Sequence, residues 1–214
     1  ECSAACDEPS FADAARRAAE AALRVFVQSD GSLRRCVRNG RGAAPGILED
    51  YAHLILALTA LERLDRSGRW LEPAVALAVH ACRRFADADG GYSDTPADAP
   101  DLFVRARGTH DGAMPSGASA MAHALIDLGE LTSDPAYAER ARAALAAVSG
   151  RVAPWPAGAA NAVRAVLRIV RSENADLARA AAVLGAGARA GPSASPSAAG
   201  SSPVEIYASC DRIA

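Results

Sequence analysis

The stretches 47–56 (I-L-E-D-Y-A-H-L-I-L) and 108–119 (G-T-H-D-G-A-M-P-S-G-A-S) hold the side chains best placed for chemistry. Each sets acids and a histidine at the start of a predicted amphipathic helix. Glu49 and His53 stand four apart, on one helix face and within reach of each other. A carboxylate that holds an imidazole raises its pKa and makes a general base, which suits sugar chemistry. The same spacing also describes an ordinary intrahelical pair around a half-buried histidine. Asp50 and Asp111 admit two roles as well: caps at helix starts, where orphan N–H groups favour carboxylates, or an acid and base pair across a cavity, as in glycosidases. His110, Asp111 and Ser116 invite a Ser/His/Asp reading, but no G-x-S-x-G elbow is present and Ser116 reads as a helix N-cap. Glu49, His53 and His110 would need further ligands to hold a metal, and none can be named. Neither a metal nor a cofactor is expected. Tyr92, Asp94, Arg105 and Ser116 are the candidate ligand contacts; Tyr92 and Arg105, with Phe103, equally suit pinning a loop to a helix bundle.

These groups must be positioned by helices. Ser10 predicts an N-cap for a helix over 11–28. Residues 29–46 are Gly-rich, and L-R-R-C-V there suits a strand or hairpin arm. The helix over 47–66 carries Ile47, Leu48, Tyr51, Leu54, Ile55 and Leu58 on one stripe, with Leu56, Ala60, Glu49 and His53 opposite. That two-faced pattern predicts an inner helix. The helix over 70–87 has one stripe and an exposed back that includes His80; Cys82 falls on the stripe and reads as core. A long loop over 88–115 predicts a segment packed over the body of the domain. Further helices are predicted over 116–132, with Ser116, Ser119, His123 and Asp127 on the reverse face, from Pro135 to 149, and after Pro156. Segment 173–190 is weakly helical, 191–203 (G-P-S-A-S-P-S-A-A-G-S-S-P) reads as a linker, and 204–214 alternates like a strand. Long helices in alternating two-sided and one-sided pairs predict stacked hairpins, closed as an α/α toroid or open as a repeat stack. No strict sequence period is evident, which favours the toroid.

The 214 residues suffice for one well-buried core. Ala supplies 54 of them, which favours closely packed helices. All 23 basic residues are Arg, the net charge is -2, and no basic block or stacking aromatic cluster points to nucleic acid. Cys2, Cys6, Cys36, Cys82 and Cys210 form no C-x-x-C, so no redox motif or four-cysteine zinc site is read from them. No apolar run reaches the length of a membrane span. The chain begins with Glu1 and reads as a piece of a longer protein, with a cytoplasmic location as the default.

Three ordered motifs, P-G-I-L-E-D-Y-A-H-L at 45–54, G-G-Y-S-D-T-P-A-D at 90–98 and D-G-A-M-P-S-G-A-S at 111–119, resemble the C-terminal region of thioredoxin-domain proteins. The family is that of spermatogenesis-associated protein 20 and its bacterial YyaL-like relatives. The match spans about residues 10–172 and departs at Ala118, where the family reads Asn. The resemblance implies an all-α region of helical hairpins, about half of an α/α toroid like those of six-hairpin glycosidases and N-acylglucosamine 2-epimerase. It would occupy 1–172, followed by a linker at 173–203 and the β-like start of a further domain at 204–214. The implied partners are the missing N-terminal half of the ring, with apolar flanks awaiting it, a thioredoxin-like domain of the same protein, and a sugar-like small molecule. The function expected is carbohydrate-like ligand binding, with isomerase, epimerase or glycosidase-like catalysis left open. A non-catalytic scaffold or protein-interaction module is the alternative.

Overall fold

The computed structural model describes residues 2–38, 41–99 and 103–187, and the chain divides into two units, Glu1–Ile169 and Val170–Ala214. The elements are α1 (Cys2–Cys6), α2 (Pro9–Phe26), β1 (Arg34–Arg38), β2 (Arg41–Pro45), α3 (Leu48–Asp65), α4 (Leu71–Phe85), α5 (Gly117–Thr132), α6 (Pro135–Val152), a 3-10 turn (Pro156–Ala159) and α7 (Ala160–Gly187). Among the described residues the fold is all-α with one antiparallel strand pair, β1–β2, matched Arg34 to Pro45 and Arg38 to Arg41. The second unit is described as far as Gly187, as helix. The linker and strand-like tail expected beyond 190 lie outside the described residues.

In the first unit, α3 packs on both α4 and α5, and α5 packs on α6. Two helical hairpins therefore stand side by side, with α3 and α5 between α4 and α6. The apolar spacing dictates this. Leu48, Ile55 and Leu58 of α3, and Met121, Leu125 and Leu128 of α5, are fully buried. Small residues let the helix axes approach: Ala120, Ala122 and Ala124 are as buried as the leucines. α5 is buried without a break from Gly117 to Leu128, polar positions included.

Local chemistry sets the ends. α2 begins at Pro9, not after Ser10. Pro9 suits the first helical position, where its missing N–H costs nothing, and the Glu8 side chain caps the helix by accepting from the Ser10 N–H at 3.1 Å. α3 ends at Arg66, which takes the left-handed conformation (φ 51°) and donates its N–H to the Glu62 carbonyl. Glu62 itself is buried and accepts from the Gly68 and Trp70 N–H groups at 2.7 and 3.1 Å, tying down the turn into α4. Asp134 caps α6 through the Ala136 N–H, with Pro135 behind it.

A repeated device closes the C-terminal ends of α2 and α4. Val27 bridges to Leu33, and Ala86 bridges to Tyr92. Between them, Gly31 and Gly90 both hold φ near 80°, and each donates its N–H to a carbonyl three residues earlier, Gln28 and Asp87. Residues 26–33 and 85–92 thus form the same helix-exit turn, F-x-x-x-D-G-x-[LY]. This turn also covers His80. The ring, expected to be exposed, is half-buried and stacked on Tyr51 (centroids 5.4 Å, planes 5° apart), because the loop around Gly31 folds over it. Cys82, expected in the core, is half-buried with its Sγ 3.2 Å from the Tyr92 hydroxyl.

The long loop before α5 is fastened by charge. Arg105 bonds Asp87 and the carbonyls of Phe85 and Thr95, while Arg107 bonds Asp87, Asp89 and the Ala147 carbonyl. Phe11 and Val25 on α2, and Val166 and Leu167 on α7, leave large apolar side chains in solvent. Among the described residues no helix is long and apolar enough to cross a membrane, and no group of three or more His, Cys, Asp or Glu is placed to hold a metal ion.

Candidate functional site

The starts of α3 and α5 touch. A Cβ on Gly117 would lie 3.2 Å from the Glu49 nitrogen and 3.3 Å from Leu48 Cδ2. Asp94 joins the same corner: its carbonyl accepts from the Leu48 N–H at 3.0 Å, and its carboxylate accepts from the Gly108 N–H at 2.9 Å. Burial raises the Asp94 carboxyl above its ordinary value.

The acids of this corner are engaged. Asp50 accepts the Ile47 N–H at 2.9 Å, completing half of a capping box, and pairs with Arg35 at 3.1 Å. Glu49 pairs with the same guanidinium at 2.7 Å. Asp111 receives the N–H groups of Ser116 (3.0 Å) and Asn161 (2.7 Å) and the Ser119 hydroxyl (3.3 Å), so one carboxylate binds the starts of both α5 and α7. Ser116 caps α5 by accepting from the Ser119 N–H. His110 stacks on Trp155, exposed, with ring centroids 5.1 Å apart. Tyr92 is buried in the core, Arg105 pins the loop, and Phe103 is fully exposed.

Two cavities open beside this corner, and His53 borders both. A mostly apolar pocket of about 330 Å³ runs between α2, β1 and α3, with Glu49, Asp50 and Met114 at its rim. A polar cleft of about 470 Å³ lies between α3, α5 and the first turns of α7. Asp50 borders the first of these, and Asp111 and His110 line neither.

His53 does not bond the Glu49 carboxylate. Its Nδ1 lies 2.9 Å from the Glu49 backbone carbonyl, one turn earlier. A carbonyl only accepts, so Nδ1 carries a proton, and in the neutral ring Nε2 is the acceptor. That Nε2 is buried and has no hydrogen-bond partner among the described residues. A buried polar atom left unpaired costs about 1–3 kcal/mol.

The rest of the cleft wall is a network that the sequence left dispersed. His123 Nε2 lies 3.0 Å from the Asn161 carbonyl, fixing its proton there, and Nδ1 accepts from Arg168 at 3.2 Å. Burial pushes this imidazole below its ordinary value, with the guanidiniums of Arg168 and Arg164 acting the same way. Asp127, buried, accepts from Thr59, Arg63 and Arg168. Burial alone would raise its carboxyl, but the two guanidiniums hold it below the usual range. Glu130 bonds Arg63 and Arg168 as well. The reverse-face positions His123 and Asp127 were readable as a polar stripe on α5. Arg63, Asn161, Arg164 and Arg168 were not singled out, although 161, 164 and 168 fall on one face of α7.

Side-by-side helical hairpins with a polar cleft along their inner helices define the protein's class: an all-α domain with a concave site lined from several helices. No protein-family model matches the chain. The chain is distantly homologous to spermatogenesis-associated protein 20: it is 32% identical to the rat protein over 152 residues, 31% to the mouse protein over 150, and 30% to the human protein over 152. These matches cover 65–66% of this chain and 19% of each relative, so the chain spans about a fifth of the length of those proteins.

Proposed function

We propose that the first unit is part of an α/α toroid in a thioredoxin-domain-containing protein, and that its cleft between α3, α5 and α7 binds a small, carbohydrate-like molecule. The observation that carries this is the buried, unpartnered Nε2 of His53 at the cleft wall. A ligand hydroxyl donates to such an atom, and a polyol brings further hydroxyls for the donors and acceptors around it. The repeated helix-exit turn supports a ring of like hairpins. Val166 and Leu167, 45% and 46% exposed on α7, support the packing of a further hairpin there.

Of the candidate catalytic side chains, His53 alone lines the cleft and has a ring nitrogen unpaired among the described residues; His110, held only by its stack on Trp155, is exposed and lines neither cavity. Glu49 and Asp50 share Arg35, and Asp111 is spent on two helix starts. If the domain turns its ligand over, this favours proton abstraction by His53 Nε2, as in an isomerase or epimerase, over the paired carboxylates of a glycosidase. The alternative is a scaffold without a small ligand, consistent with the structural engagement of those acids.

A ligand that binds only the folded chain raises its melting temperature by mass action. Millimolar hexoses are expected to raise Tm of the 214-residue chain, and His53→Phe, which fills a similar volume without the acceptor, is expected to abolish the rise. Melting curves that no monosaccharide shifts would favour the scaffold.

A further inference from the structure

We propose that the cleft selects an anionic ligand, a small polyhydroxylated molecule bearing one carboxylate or phosphate, and that Arg164 is the group that reads the charge. This rests on the carbohydrate reading of the same cleft and narrows it.

The argument is one of charge count. Arg63 and Arg168 are each bonded to both Asp127 and Glu130, two cations against two anions, which leaves that side of the cleft neutral. Each histidine directs one ring N–H at a backbone carbonyl, which leaves the other nitrogen as the acceptor of the neutral ring. His123 spends that acceptor on Arg168.

The remaining charge is Arg164. It lines the cleft one turn before Arg168 and has no hydrogen bond or ion pair among the described residues. The cleft therefore carries a net positive charge concentrated on one free guanidinium, and a guanidinium offers a flat pair of donors that fits a carboxylate or phosphate two-point. His53, on α3, also lines the cleft, and its buried Nε2 lacks the donor that a ligand hydroxyl would supply. A donor for an anion and an acceptor for a hydroxyl, presented together, describe a site for a sugar acid or a sugar phosphate.

The test is isothermal titration of the 214-residue chain at low ionic strength with glucose, glucuronate and glucose 6-phosphate as probes. At least one acidic probe is expected to bind about tenfold more tightly than glucose, the scale of one charge-assisted contact. Arg164→Gln, an exposed and unpaired position, is expected to remove most of that preference, and the charge-matched control Arg17→Gln to retain it. A preference for glucuronate alone assigns the carboxylate, and for glucose 6-phosphate alone the phosphate. Glucose binding as tightly as the acidic probes, or an acidic preference that survives Arg164→Gln, overturns the proposal while leaving the carbohydrate reading intact. If no sugar binds, acetate and inorganic phosphate decide. Binding of either that is lost in Arg164→Gln keeps the anion site and discards the sugar; binding of neither discards both.

Discussion

His53 and His123 present opposite answers to one problem, a histidine placed between helices. His123 satisfies both ring nitrogens, through Asn161 and Arg168, and is thereby part of the fold. His53 satisfies one and leaves the other buried without a partner among the described residues. Their difference has a consequence in pH. The unfolded His123 takes up its proton near pH 6.5, whereas the folded ring, depressed by burial, does so only at lower pH. Its stabilisation is present above the unfolded value and is lost as pH falls through the folded one, because the unfolded state then binds the extra proton. His80, also depressed by burial, acts in the same direction. Urea midpoints measured at about pH 7.5 and about pH 5, on either side of the unfolded value, should show wild type losing more stability than His123→Gln, whose amide keeps a donor and an acceptor. Parallel losses in the two proteins would remove His123 from the account. Neither role was decidable from spacing. Glu49 and His53 were legible as neighbours, but whether the imidazole met a carboxylate or a carbonyl depends on rotamers, and Arg35, distant in sequence, draws the carboxylate away.

At the scale of elements the sequence was more informative. The two-faced pattern of the helix over 47–66 marked an inner helix, and α3 does pack on both sides, against α4 and α5. Leu56 and Ala60 line the cleft, Leu56 half-buried against the edge of the core and Ala60 exposed. Periodicity reports that a second face is special, not whether a neighbour or a ligand covers it. Asn39-Gly40, the dipeptide most favoured in two-residue hairpin connections, separates β1 from β2 in sequence and would have sharpened the hairpin reading. The repeated exit turn is faint in the sequence because only Phe, Asp and Gly are kept, and backbone φ, not side chains, defines it. The contact on which the site depends is that of Gly117 with Leu48 and Glu49. Gly117→Ala should cost about 1 kcal/mol and Gly117→Val about 3 kcal/mol, since overfilling a closed contact costs in this range. Urea denaturation measures both. A Gly117→Val protein as stable as wild type would mean that the helix starts stand apart.

For the molecule as a whole, the pieces combine into a division of labour. One end of α3 and α5 is built shut by caps and ion pairs: Asp50, Asp94 and Asp111 each hold backbone N–H groups there. Further along, the same helices and α7 leave a polar groove with one histidine nitrogen unmatched. Helix starts rich in acids are ambiguous in sequence because the same residue types serve caps and catalysis. The groove is less legible, since its members come from three helices up to 115 positions apart, His53 to Arg168, and only packing unites them. The most direct measurement is the ¹⁵N spectrum of the histidine side chains, which distinguishes a protonated ring nitrogen from a bare one. His53 is expected to carry its proton on Nδ1 at neutral pH, and its Nε2 resonance to move when glucose, glucuronate or glucose 6-phosphate is titrated in. A proton already on Nε2, or a His53 resonance that all three sugars leave unchanged, would contradict the account.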